Sequence, residues 1–392
     1  MAISKKMEER MKNSSWIRKM FEIGNDYRKK YGSEAVFDFT LGNPTIEPPV
    51  AFKKELMAVA AKTDKGVHRY MSNNGLFSTR KAAAAALNKH LKQEISPDNL
   101  VMTTGAAGAL NIVLNSILDS GNEVIIISPF FPEYKFYIEN NGGKTIVVES
   151  KDDFSLDLKA IAAVLNGSTK AIILNSPNNP AGVIYSETSL KLLQELLEKH
   201  SDRGYSEVFV ISDEPYRKLV YDNIKLPQNL DIFKNSIMCY SHSKDLGIPG
   251  ERIGYAAVAP SIDDGSQLLA ALNFANRTLG FVNASAFMQR VIENLQEVSV
   301  EVSGYQQKRD LFYDNLVSYG YEITKPSGAF YLLVKSPLRV YYHFCQLLLE
   351  EKILAVPGRG FGRKGYFRLS YCLEQKTIER SLQGFKNCIE KL

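Results

Sequence analysis

From about residue 50 to residue 260 the chain alternates between two textures. Short apolar runs are bounded by polar and turn-forming residues: NLVMTT (99–104), EVIIIS (123–128), KTIVVES (144–150), KAIILNS (170–176), EVFVISD (207–213), SIMCYS (236–241) and RIGYAAVA (252–259). These runs are continuous rather than alternating, which is the pattern of strands buried on both faces. Between them lie AGALNIVLNSILDS, LKAIAAVLNG and ETSLKLLQELLEKHSDRG, with apolar residues at helical spacing. Strand and helix in repetition predict an α/β domain around a central, mostly parallel sheet of seven strands. After about residue 262 the texture changes. A helical stretch from Ser266 toward Asn315, interrupted near TLGFVNAS, precedes strand-like GAFYLLVK and YFRLSYC and the helical YYHFCQLLLEEK and TIERSLQGFKNCIEKL. This predicts a second, smaller α+β domain. The first fifty residues read as helix followed by the extended VFDFTLGNPTIEPP, and no internal repeat or low-complexity tract interrupts the chain.

A length of 392 residues exceeds what one ordinary core organises, which agrees with two domains. The net charge of +5 is spread along the chain with both signs interspersed, so no nucleic-acid partner is expected. No run of about 18 apolar residues occurs, so no membrane-spanning helix is expected. The basic N-terminus lacks the apolar core of a secretory signal. Cys239, Cys345, Cys372 and Cys388 show neither CxxC spacing nor a paired histidine pattern. That predicts no metal site and a reducing, cytoplasmic compartment.

Ligands of open α/β sheets bind beyond the carboxyl ends of the strands, so the residues that follow each run carry the chemistry. After Thr104 comes GAAGAL, small residues opening a helix, suited either to a close anion or to tight helix–sheet packing. After KAIILNS comes PNNPAG, a tight loop in which Asn179 can present its amide, or an ordinary turn. Asp213 closes an otherwise apolar strand, where a carboxylate is costly unless paired. Lys244 follows SIMCYS, with Ser241 and Ser243 beside it and Arg252 eight places on. Together they ask for a phosphate, a hydrogen-bond acceptor, a cationic nitrogen and an electrophile for lysine. Pyridoxal 5'-phosphate offers all four.

The stretch SHSKDLGIPGERIGY, with NSPNNPAG, SDEPY and GAFYLL in the same order, resembles the class I/II aminotransferases, fold-type I pyridoxal-phosphate enzymes similar to the aspartate, aromatic and kynurenine aminotransferases. The likeness runs from DFTLGNP to YFRLSY, nearly the whole chain. It implies a large domain over 50–280, a small domain from 1–49 and 281–392, and a homodimer with shared active sites. Lys244 resembles the lysine that forms the cofactor aldimine and then moves the substrate proton. Asp213 matches the partner of the ring nitrogen, and Tyr216 and Asn179 the partners of the ring oxygen. Gly105, Ala106, Ala107, Ser241 and Arg252 match the phosphate cradle, although alanines stand where relatives often carry a hydroxyl. Phe131, in SPFFPEY, matches the aromatic ring laid on the cofactor, with Phe130 and Tyr134 as core packing. Tyr70 matches a tyrosine that reaches the partner subunit's phosphate. Arg368 resembles the arginine that grips the substrate α-carboxylate, with Gly42 beside it.

The implied reaction moves an amino group from an L-amino acid to a 2-oxo acid by ping-pong half-reactions. The nearest alternative on the same scaffold is a carbon–sulfur β-lyase. A DNA-binding regulator is not expected, because the first fifty residues carry a poor helix-turn-helix pattern. GGKT at 142–145 lacks the earlier glycine of a phosphate loop, GRGFG at 358–362 lacks dinucleotide spacing, and His242 is not needed as a base. Arg277 is a candidate for a distal carboxylate or for a dimer interface. Trp16 and Phe21 are candidates for an apolar pocket wall. Aspartate, alanine, aromatic and other neutral amino acids all remain open as substrates.

Overall fold

The computed structural model describes residues 2–12 and 16–392. The Trp16 and Phe21 side chains lie outside the described ones. The seven apolar runs form one sheet: β1 (Leu100–Thr103), β2 (Glu123–Ser128), β3 (Lys144–Glu149), β4 (Thr169–Asn175), β5 (Phe209–Asp213), β6 (Ser236–Ser241) and β7 (Gly254–Val258). Their order across the sheet is β1-β7-β6-β5-β4-β2-β3. Only β7 runs against its neighbours, β1 and β6; the other adjacent pairs are parallel.

Successive residues of one strand feed two different cores, as the period of two requires. Ile126, Ile173 and Ile211 pack with Val113 and Leu272, from helices Gly105–Ile117 and Gly265–Thr278. Ile125, Ile172 and Val210 pack with Ile161, Leu190 and Leu193, from helices Leu158–Val164 and Glu187–Ser201. Both of the latter helices start on a side-chain cap. Asp157 accepts from the N–H groups of Lys159 and Ala160, and Ser186 accepts from that of Ser189. The exception to double burial is β3. It is an edge strand with one neighbour, and Val147 is 42% exposed.

The helical stretch predicted from Ser266 toward Asn315 is three helices, Gly265–Thr278, Ala286–Ile292 and Val302–Ser318. The second break, at 293–301, separates two cores. Leu295 packs in the first, with the sheet, and Val300 in another rich in aromatic rings: Phe39, Phe312, Phe330, Phe344, Phe367 and Phe385. That core carries a three-stranded antiparallel sheet of β8 (Tyr331–Lys335), β9 (Val356–Pro357) and β10 (Tyr366–Ser370), in the order β9-β10-β8. Phe37–Asp38, from the beginning of the chain, pairs in parallel with Ile353–Leu354. No described helix is long and apolar enough to cross a membrane, and no cluster of His, Cys, Asp and Glu among the described residues fits a metal ion.

Candidate active site

The carboxyl ends of β4, β5 and β6 present Asn175, Asp213 and Ser241 to one pocket of about 300 Å³. Its wall includes Gly42, Ala106, Ala107, Phe131, Asn179, Tyr216, Lys244, Arg252 and Arg368. These positions span the chain from residue 42 to residue 368, and the fold brings them together.

Lys244 stands on a one-turn helix, His242–Asp245, at the end of β6. Ser241 caps that turn by accepting from the N–H of Ser243. The Lys244 ammonium donates to the Gly42 carbonyl at 2.8 Å and lies 5.6 Å from the Phe330 ring centre. Burial lowers its pKa to about 8; Arg252 and Arg368 push the same way, and Cys372 opposes them. Close approach needs a glycine at 42, because a Cβ there would meet Tyr331 Oη at 2.0 Å.

Asp213 is buried at the end of β5. Tyr134 donates to its Oδ2, while Oδ1 is buried with no partner. Burial raises its pKa to about 7, against the opposing Tyr134 bond. An orphaned carboxylate oxygen in a pocket is a place for a cationic N–H. A protonated pyridine nitrogen fits that demand.

Groups suited to an anion gather at the start of helix Gly105–Ile117. Gly105 has φ +76, and a Cβ there would sit 3.0 Å from Arg252 Nη2 and 3.3 Å from Ser241 Oγ. Ser241 and Ser243 hydroxyls are 2.8 Å apart, and Arg252 donates to Ser243 Oγ at 3.4 Å. Backbone N–H groups at a helix start, two hydroxyls and a guanidinium converge as an anion requires. Ala106 and Ala107 line the pocket without adding a hydroxyl.

Arg368 lies mid-strand in β10, only 2% exposed, between the rings of Tyr331 at 4.6 Å and Phe361 at 4.7 Å. It donates to Asn179 Oδ1 at 3.0 Å and to the Thr40 carbonyl at 2.5 Å, while Nε is buried with no partner. Among the described residues no ion pair neutralises it. Burial lowers its pKa, and a carboxylate ligand would complete its hydrogen bonds. Asn179 is held by its own N–H, which donates to Asn175 Oδ1 at 2.7 Å. Tyr216 Oη is 3.0 Å from Tyr331 Oη.

Phe131 lines the pocket, and Phe130 is buried in the first core. Tyr134 does more than pack, since it bonds Asp213. Tyr70 is 90% exposed and stands outside the pocket. Arg277 is on the exposed side of helix Gly265–Thr278, 5.2 Å from the Phe274 ring, and is not part of this chain's pocket. His242 is buried and pairs with Asp245 at 3.3 Å, away from the pocket wall. Sequence reasoning did not anticipate Glu133, Asn175 and Tyr331 on the wall. Tyr134, expected only as core packing, stands in the first turn of helix Glu133–Asn140.

Comparison with known proteins agrees with this geometry. The sequence profile described as aminotransferase class I and II matches residues 34–385. The aspartate aminotransferase of Thermotoga maritima is 31% identical, covering 98% of this chain and 96% of its own length. A probable aspartate aminotransferase of Methanocaldococcus jannaschii is 30% identical, covering 89% of this chain and 92% of its own. Among solved structures, an aminotransferase of Eubacterium rectale superposes with a TM-score of 0.96 at 38% identity, covering 100% of this chain and 99% of that one. The chain therefore belongs to the class I and II aminotransferases, enzymes that use pyridoxal phosphate to move an amino group from an amino acid to a 2-oxo acid.

Proposed function

We propose that this transamination runs through Lys244, Asp213 and Arg368 in ping-pong half-reactions. The observation that carries the reading is the Lys244 ammonium, lowered to about 8, in one pocket with an orphaned carboxylate oxygen and an orphaned guanidinium nitrogen. Lys244 Nζ would hold the cofactor through its aldehyde carbon. Asp213 Oδ1 would accept from the ring N–H, and Asn179 and Tyr216 would donate to the ring oxygen. Gly105, Ala106, Ala107, Ser241 and Arg252 would hold the phosphate, and Phe131 would cover the ring. When bound, the cofactor supplies a ring that takes up the electrons of the substrate's α-C–H bond.

Arg368 and Asn179 fix the α-carboxylate, which sets the α-C–H bond toward Lys244. Lys244 Nζ, freed when a substrate amine takes its place, would remove the proton from the substrate Cα and hold it for return across the amine nitrogen, to the cofactor's former aldehyde carbon. Its lowered pKa keeps a useful fraction of free amine at neutral pH. The relatives named above are transaminases rather than carbon–sulfur lyases, and aspartate is the first donor to test. The exposed Tyr70, unused by its own chain's pocket, supports a homodimer with shared sites. The core grouping supports a small domain built from both chain ends and a large one that extends past the expected boundary at 280, through Leu295. Four buried, unpaired cysteines support a cytoplasmic location.

The test is Lys244→Ala. Turnover is expected to vanish while circular dichroism stays that of the parent. Near-parent activity would sink the assignment.

A further inference from the structure

Lys244 faces the pocket, but the next residue faces the other way. Asp245 is absent from the pocket wall, and its side chain is 1% exposed. Three groups converge on its Oδ2: the Tyr240 hydroxyl at 2.5 Å, the Lys218 ammonium at 3.0 Å and His242 Nδ1 at 3.3 Å. A fully buried carboxylate is tolerable only with such partners, and they hold its pKa down at about 2.

The same ammonium has a second task. Lys218 Nζ donates to the Gln296 carbonyl at 2.6 Å and the Val298 carbonyl at 3.0 Å. The Asp245 carbonyl in turn accepts from the Val300 N–H at 2.6 Å. Residues 296–300 are where the chain crosses from the sheet's core to the aromatic core. One cation thus joins the turn that bears Lys244 to the crossing between the two cores.

A single helical turn has little stability of its own, so its position depends on such outside ties. We propose that Lys218 and Asp245 are positioning residues for the reaction: their buried ion pair sets the placement of Lys244 and couples it to the 296–300 crossing. The pair touches neither substrate nor cofactor and acts through the Lys244 turn. It rests on the reading that Lys244 is the reactive amine.

The charged and titratable groups around the two ends are few. Lys244 feels Arg252, Arg368 and Cys372; Asp245 faces Lys218, His242 and Tyr240, with Tyr255 beyond them. Removing the Lys218 charge leaves the Asp245 carboxylate under-compensated and loosens the turn toward water. Both changes favour a positive charge on the Lys244 nitrogen, so its titration moves upward.

The test uses Lys218→Met holoenzyme, a variant at a partly exposed position (24% of the side chain). The first readout is the pH midpoint of the cofactor's visible absorbance in the resting enzyme. It is expected to rise by at least about half a unit, with kcat down about tenfold and KM within about threefold. Amide exchange at Val300 is expected to quicken. A folded variant with the parent's midpoint and kcat, and only a lower melting temperature, would show a merely structural pair and overturn the proposal. If Lys218→Met does not fold, the same readouts on Lys218→Gln, which keeps an N–H donor without the charge, decide it in the same way. Should Lys244→Ala retain turnover, it is the reading of Lys244 that fails, which separates that failure from this one.

Discussion

At Asp213 the surroundings of one carboxylate decide when it is charged. Burial raises its folded pKa from an ordinary 3.8 to about 7. A carboxyl group raised on folding binds a proton in the folded state that it has lost in the unfolded one. Folded stability therefore falls as pH rises from near 4 to near 7. The cation of a bound cofactor ring would offset that loss. Thermal melts of apo and holo protein are thus expected to diverge as pH rises through this window, with the apo form falling further; parallel curves would contradict the pairing. Tyr134→Phe removes the bond that opposes burial, so the acid limb of kcat/KM is expected to move to higher pH. Arg368→Lys keeps the charge but loses the fork that grips a carboxylate at two points. It is expected to raise KM for the amino acid by about tenfold or more, measured at fixed oxo acid. A KM within twofold of the parent would remove Arg368 from the substrate site. Asp213 was readable in the sequence because it closes an apolar strand with a charge the run does not explain, whereas Arg368 lies mid-strand and came only from the family resemblance. Glu133, Asn175 and Tyr331 were not readable, since their role depends on what another segment brings opposite them. Asn175 touches Asn179 through a turn, and Tyr331 meets Tyr216 from a distant strand.

Elements were legible where burial is simple and blurred where it is not. Five of the apolar runs are flanked by two strands each, β1 is an edge strand that is still buried throughout, and the ends of these six fall within about two residues of the sequence reading. The same apolar signal in KTIVVE marks an edge strand, because composition reports strand propensity and not how many neighbours a strand finds. The break at 293–301 leaves no mark in the sequence, because its residues keep helical spacing of apolar groups while the chain changes cores. Helix caps give a test on this scale. Asp157 satisfies two N–H groups of helix Leu158–Val164, at 3.0 Å each. Asp157→Ala is expected to cost about 1 kcal/mol in a denaturant titration, with kcat unaltered. A change in kcat without a change in stability would mean this helix reaches the site in some way the structure does not show.

On the scale of the molecule, a pocket made from residues 42 to 368 exists only when both cores are formed and correctly joined. The strand-end rule pointed to its floor, and the family resemblance supplied Gly42 and Arg368, which no local pattern marks. What the sequence could not show is how the halves meet. Lys218, Asp245 and residues 296–300 lie far apart along the chain and meet only in the folded protein. The exposed Tyr70 adds an expectation about assembly. Tyr70→Phe is expected to weaken cofactor retention in the dimer, measured by dialysis against buffer at fixed protein concentration. Unchanged retention in a verified dimer would place Tyr70 away from the partner's phosphate.

The most direct measurement follows the visible spectrum of the purified holoenzyme while single amino acids are added without any oxo acid. Transamination at Lys244 predicts loss of the visible band to a stable, shorter-wavelength band, with one 2-oxo acid released per site. A band that returns while ammonia accumulates would contradict it in favour of elimination chemistry. Absence of any cofactor band after adding pyridoxal phosphate would contradict the site itself.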